Sequence, residues 1–210
     1  MTDQAITNRA APDIALEQPR VPVGSIRRRG TGWWGVLTLI LTEGSLFAYL
    51  LFSYYYFALQ SSGGFLPDKP PPLDLSLPNT ILLLLSSVAV WWADSGVRRN
   101  RQGQLVLGLA IALALGIAFV VVQLFEWRSQ TFTLRSSEYG SLFYTITGFH
   151  MAHVIVGLLV LAALLLWSAL GYFAGRRSAP ILIGGAYWHF VDAVWLAVFF
   201  TFYVTPYLRG

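Results

Sequence analysis

The chain has 210 residues, 56% of them apolar or aromatic and 11% charged, with a mean hydropathy of +0.59 and a net charge of +4. A soluble domain carries about 25% charged residues, so this composition is that of a membrane protein. The absence of cysteine excludes disulfides, thiolate metal sites, covalent haem c attachment and a cysteine nucleophile, and three histidines are too few to ligate several haems or a haem–copper pair within this chain.

Residues 1–30 are polar, end in Arg27, Arg28 and Arg29, and contain no apolar run of the ~7–15 residues that a secretory signal needs. They read as a disordered arm (1–30) ahead of a membrane domain (31–210). Asp3, Asp13 and Glu17 in this arm argue against an organelle transit peptide. Five apolar segments follow, at 33–59, 77–97, 104–127, 139–173 and 180–207. Each supplies the roughly 20 helical residues that cross a hydrocarbon core of ~30 Å. None alternates as a lipid-facing barrel strand does. The predicted fold class is therefore all-α, a polytopic membrane protein built as a bundle of five transmembrane helices. The fourth segment exceeds what a bilayer requires, which predicts tilt or projection into water. The link 60–78 contains Ser61, Ser62, Gly63 and Gly64, then Pro70, Pro71 and Pro72, a loop and polyproline pattern. No internal repeat supports an inverted-repeat transporter.

Basic residues collect at segment ends, a topology signal rather than a nucleic-acid surface. With the N-terminus cytoplasmic, the inside set is Arg9, Arg20, Arg27, Arg28, Arg29, Arg98, Arg99, Arg101, Arg176 and Arg177. The outside set is Lys69, Arg128, Arg135 and Arg209. Ten against four places the N-terminus inside and, with five helices, the C-terminus outside.

Ionisable groups at membrane depth are costly and each needs a reason. Glu43 lies about 15 Å into the first helix, and His189 and Asp192 about 12 and 17 Å into the fifth from the same side, at ~1.5 Å per residue. His150 and His153 fall about 13 and 18 Å into the fourth helix, counted from the opposite side. All five sit near one depth. The functional reading is a buried proton-exchanging or lipid-contact site. The structural reading is interhelical hydrogen bonding worth about 1 kcal/mol per contact. Glu43 has no basic residue in its own helix. His150 and His153, three apart, project from adjacent turns of one face. With His189 they make a weak metal-ligand or bis-histidine haem set, without any sulfur ligand.

Aromatic residues cluster at segment ends: Trp33 and Trp34, Tyr54 to Tyr56, Trp91 and Trp92, Trp127, Tyr203 and Tyr207. Interfacial belts account for them. Gly108, Ala112 and Gly116 recur every four positions in the third helix, a smooth face for close packing. P-loop, serine-triad and Rossmann patterns are absent, so no catalytic residues are assigned to this chain.

Three stretches resemble a known family. Thr147 to Gly157 reads TGFHMAHVIVG and resembles the TGFHxxHVxxG signature of subunit III of haem–copper cytochrome oxidases. Tyr187 to Trp195, YWHFVDAVW, is similar to that family's last-helix YWHFVDxVW, and Thr42 to Ala48, TEGSLFA, resembles its (S/T)ExxxFA stretch, with Glu43 as the glutamate. Phe125, Glu126 and Trp127, then Glu138 to Ser141, fit in register between them, so the resemblance spans 33–207. It implies a short five-helix bacterial form, in the inner membrane, without the first two helices that form one arm of a lipid-filled cleft in longer members. The second helix reads Trp91, Trp92, Ala93, Asp94, where many members carry a histidine pair.

The resemblance further implies an accessory subunit with no cofactor of its own, haem and copper being on partner subunits. It would pack directly on catalytic subunit I, with subunit II in the same complex, keep the enzyme active and support proton uptake from the cytoplasmic side, with bound phospholipid as a further expectation. Related chains accompany quinol oxidases and nitric oxide reductases, and the donor site lies on other subunits. Cytochrome c is favoured as donor by its commonness. Two readings from other classes are a stand-alone proton channel using Glu43 and the histidines, and a small haem b anchor.

Overall fold

The computed structural model describes residues 31–61, 64–67, 71–172 and 179–209. The predicted arm 1–30 lies outside the described residues, as do Lys69, Arg176 and Arg177 from the charge comparison. Five helices are long and apolar enough to cross a membrane. They are α1 (Thr31–Gln60), α2 (Leu73–Arg98), α3 (Gln102–Ser129), α4 (Glu138–Ala169) and α5 (Ala179–Phe199). A π-helical turn (Phe200–Val204) and a short α6 (Thr205–Arg209) continue α5.

Two boundaries differ from the sequence pattern, each for a local reason. Helix α2 begins at Leu73, four residues before the expected 77, and so carries Pro78 within its second turn. Pro78 lacks the N–H that would bond back four residues, so the helix tolerates it only near its start. Asp74 in the first turn favours that start electrostatically. Helix α4 ends at Ala169, short of the expected 173. Gly171 takes φ +79, and the N–H groups of Leu170, Gly171 and Tyr172 fold back to the carbonyls of Leu166, Ser168 and Trp167. A glycine in the left-handed region closes a helix in this way. At its other end, the Ser137 side chain caps α4 by accepting from Gly140 N–H at 3.0 Å.

Helices α2 and α3 form a tight antiparallel hairpin through the turn at Arg99 to Arg101, which marks the arginine end of the bundle. The α3–α4 loop and the π turn lie at the opposite, loop end. Gly108 of α3 allows the close approach. A Cβ placed there would lie 2.8 Å from the Cβ of Ala93 on α2. The expected small-residue face therefore packs helices.

Helix α5 is the most enclosed span, with half of its apolar window buried, and α1 the least, at 11%. The α5 indoles bind it to α2: Trp188 Nε1 donates to Ser86 Oγ and Trp195 Nε1 to Thr80 Oγ1, both at 3.0 Å. Trp188 also wedges between Gly116 of α3 and Gly157 of α4. Four helices thus meet on one side chain.

The aromatic pattern needs one correction. Trp34, Trp91, Tyr56 and Tyr207 are exposed, as belt residues are, but Tyr54 and Tyr203 are fully buried. They belong to a ring cluster with Phe65, Tyr139, Phe143 and Phe202, whose rings meet mostly edge to face. Edge-to-face contact aligns the positive ring edge with the negative face of its neighbour.

Candidate functional site

The five polar residues at mid-depth separate into three places. The first joins α1 to α4: His153 Nε2 lies 3.0 Å from Glu43 Oε2. The other ring nitrogen, Nδ1, lies 2.7 Å from the Phe149 carbonyl oxygen. A carbonyl only accepts, so Nδ1 carries a hydrogen and donates it. That fixes what the Nε2–Oε2 contact contains. Either the Glu43 acid donates its O–H to Nε2, or an imidazolium N–H donates to the carboxylate. In both forms one proton lies between the two side chains. The pair, half-buried between α1 and α4, therefore holds a proton at mid-depth without leaving a lone charge, which the bilayer interior would penalise. The Tyr187 hydroxyl donates to the His153 carbonyl at 3.4 Å and steadies the same turn of α4.

The second place is His150, one turn away. It is buried against Phe47, Phe119 and Trp195, stacking on Trp195 at 4.9 Å between ring centres. Neither ring nitrogen has a hydrogen-bond partner among the described residues. Phe47 stands edge-on to both histidines. The third place lies between α2 and α5. The Ser87 hydroxyl bonds His189 Nδ1 and sits beside the Asp192 carboxyl. Asp192 is buried, whereas His189 is exposed on the outer face of α5. Asp94, two turns along α2, pairs with Arg98 at 2.7 Å. The three histidines thus take three different environments, and among the described residues no three acidic or histidine side chains converge as metal ligands.

An apolar groove of about 610 Å³ runs between α1, α4 and α5 in the arginine-end half. Gly32, Gly35 and Leu39 of α1, Val160 and Leu164 of α4, and Ile183 and Gly184 of α5 line it. Tyr187 closes its inner end, so the groove stops next to the Glu43–His153 pair.

Sequence reasoning missed two features. Ser87, the link between His189 and Asp192, is one of many serines in an apolar helix and carries no signal of its own. Glu126 reads as a charge at a helix end, yet it is fully buried, with Gln123 and Asn79 buried beside it. The spacing of Gln123 and Glu126, three apart on one face of α3, was the available signal.

Comparison with known proteins gives a consistent result. A family model described as cytochrome c oxidase subunit III matches residues 25–207. The chain is similar to cytochrome c oxidase subunit 3 of Drosophila yakuba, 33% identical over 177 residues, which are 81% of this chain and 68% of that relative. It is 39% identical over 132 residues to the subunit 3 of Spodoptera frugiperda, covering 63% of this chain and 90% of the relative. The Pan troglodytes subunit 3 is 32% identical over 177 residues, with 81% of this chain and 68% of the relative covered.

Proposed function

This chain belongs to the cytochrome c oxidase subunit III family, and on that premise we propose that it is the accessory subunit III of a proton-pumping haem–copper terminal oxidase. It is a multi-pass membrane protein. In this reading it sits in a bacterial inner membrane with its N-terminus cytoplasmic and packs on subunit I, with subunit II in the same complex. It holds no redox centre, and the oxygen chemistry stays on its partners. Its own contribution is to stabilise the catalytic subunit and to support proton uptake.

The Glu43–His153 contact carries the proposal. A dyad that must contain one proton, at mid-depth and beside a lipid-accessible groove, suits a group that exchanges protons with a neighbouring subunit. It does not suit oxygen reduction, which needs a redox metal or organic cofactor. The groove fits one acyl chain of a phospholipid, whose headgroup would reach the arginine end. His150, without polar partners, acts by packing, and His189 ties α5 to α2 through Ser87.

Purification of the chain from its native membrane in mild detergent tests the assignment. Subunits carrying haem and copper should accompany it, and a soluble copper domain among them indicates cytochrome c as donor. Haem or copper bound stoichiometrically to the isolated polypeptide overturns the assignment. Proton flux through the purified chain alone in liposomes overturns it in favour of a channel.

Orientation has its own test. Cysteines placed singly at residues 64–70 should label from outside and those at 98–102 from inside. The reverse pattern would show that the arginine asymmetry misleads.

A further inference from the structure

His189 differs from the other two histidines in where its ring stands. His150 is buried and His153 is half-buried against Glu43, but His189 is exposed on the outer face of α5 at mid-depth. One side of the ring is occupied, because Nδ1 bonds the Ser87 hydroxyl of α2. Nε2 makes no hydrogen bond among the described residues. A neutral imidazole carries one N–H and one bare nitrogen. With Nδ1 engaged, Nε2 still has either a hydrogen to give or a lone pair to fill.

Lipid does not meet that need. Acyl chains offer no hydrogen-bonding atom, and an unmet polar group in hydrocarbon is costly. Lysine and arginine escape by extending to the interface, but an imidazole on a single methylene is too short to do so. The rest of the face suits the hydrocarbon. Leu182 and Leu196, two turns either side of His189 on α5, are exposed, as are Leu84 and Val88 within one turn of Ser87 on α2.

The local shape admits a further helix at His189. Ala186 and Ala193 lie one turn before and one turn after it and carry only methyl groups, so a neighbouring backbone can approach closely enough to reach Nε2. Polarity also continues along α2. Ser87, Asp94 and Arg98 share one side of that helix at intervals of seven and four. The Asp94–Arg98 pair, at 2.7 Å, carries this polar line from mid-depth to the arginine end.

We propose that the outer face formed by α2 and α5 docks one transmembrane helix of a partner subunit, which places a hydroxyl or carboxamide side chain at the depth of His189 to bond Nε2. Such a group both donates and accepts, so it fits either tautomer of the ring. This deepens the proposed function by naming the face that meets a partner, and it rests on that reading only in taking the chain as one subunit of a membrane complex.

The test uses the intact complex in its native membrane. A photo-activated cross-linking amino acid in place of Ala193 should join the chain to one other membrane subunit. His189→Asn keeps an amide near the position of Nδ1, and so the Ser87 bond, but has nothing at the position of Nε2. His189→Gln reaches the Nε2 position. Retention of the cross-linked subunit through detergent washing should fall about fivefold in His189→Asn, the scale of one interhelical hydrogen bond, and stay near the parent level in His189→Gln. Cross-links from position 193 to lipid alone, or to a second copy of this chain, overturn the proposal. So does equal retention in the parent and His189→Asn, or equal loss in both variants. If either variant fails to accumulate, the cross-link from position 193 decides. Haem and copper in the cross-linked assembly are measured separately. Their absence removes the oxidase reading and leaves the docking face standing.

Discussion

Gly157→Leu is expected to abolish accumulation of the folded chain in the membrane. A Cβ at position 157 would lie 2.7 Å from Trp188 Cε3 and 2.8 Å from Cζ3. The indole has nowhere to retreat. A Cβ at Gly116, on its far side, would already lie 2.9 Å from Cη2, and its N–H is fixed on Ser86. Overpacking a rigid ring costs about 1–3 kcal/mol for small insertions, and leucine inserts a whole branched side chain. The complementary change, Trp188→Ala, empties a fully buried site and should cost about 3–5 kcal/mol. The two defects have opposite sign in volume, so Gly157→Leu combined with Trp188→Ala should recover more folded protein than Gly157→Leu alone. Membrane yield and thermal unfolding in detergent measure all three. An unfolding midpoint for Gly157→Leu equal to that of the parent would show that Trp188 is not wedged.

A double-mutant cycle at Glu43 and His153 should reveal a coupling of about 0.5–2 kcal/mol, the range for interhelical hydrogen bonds in membranes. Each alanine variant leaves the other partner with an unmet group, whereas removing both leaves none. The double variant should therefore be less destabilised than the sum of the singles. Glu43→Gln should keep assembly, because a Gln amide N–H donates to Nε2 of a neutral His153 whose Nδ1 still bonds Phe149. That variant lacks the shared proton, so proton uptake by the complex should slow while subunit content stays unchanged. Strict additivity in the cycle would mean that the 3.0 Å contact carries no energy.

Much of the fold is legible in the sequence because hydropathy decides it: five apolar runs become five helices with small shifts at their ends. The shifts come from single residues that a sliding pattern averages away, Pro78 inside α2 and Gly171 beyond α4. Depth is also legible, since helical rise converts position into height, and Glu43 and His153 do meet. Azimuth is not. Nothing in the spacing says that His153 turns to α1 while His150 turns into an aromatic enclosure, because that depends on which helices are neighbours. Glu126 was the larger miss. It lies next to Trp127 and Arg128, a combination that looks like a membrane interface. Its burial depends on the loop beyond α3, where the Tyr144 hydroxyl contacts the carbonyls of Trp127 and Phe132. It depends also on a π turn that no periodicity announces.

That π turn sets the angular phase of everything after it. Each residue in an α-helix advances the side-chain direction by about 100°, and a π turn spends one extra residue without advancing the axis in step. Tyr203, Thr205 and Tyr207 therefore point where they do only because Phe200–Val204 is wound wide. Deleting one residue from this stretch would let the backbone relax into a continuous α-helix with better internal hydrogen bonds. The same deletion would rotate the C-terminal segment, taking the Tyr207 hydroxyl off the Pro71 carbonyl, 3.3 Å away on the link before α2. A shortened chain would thus have a more regular helix and a worse-sealed bundle, a case in which local regularity and tertiary fit demand different lengths.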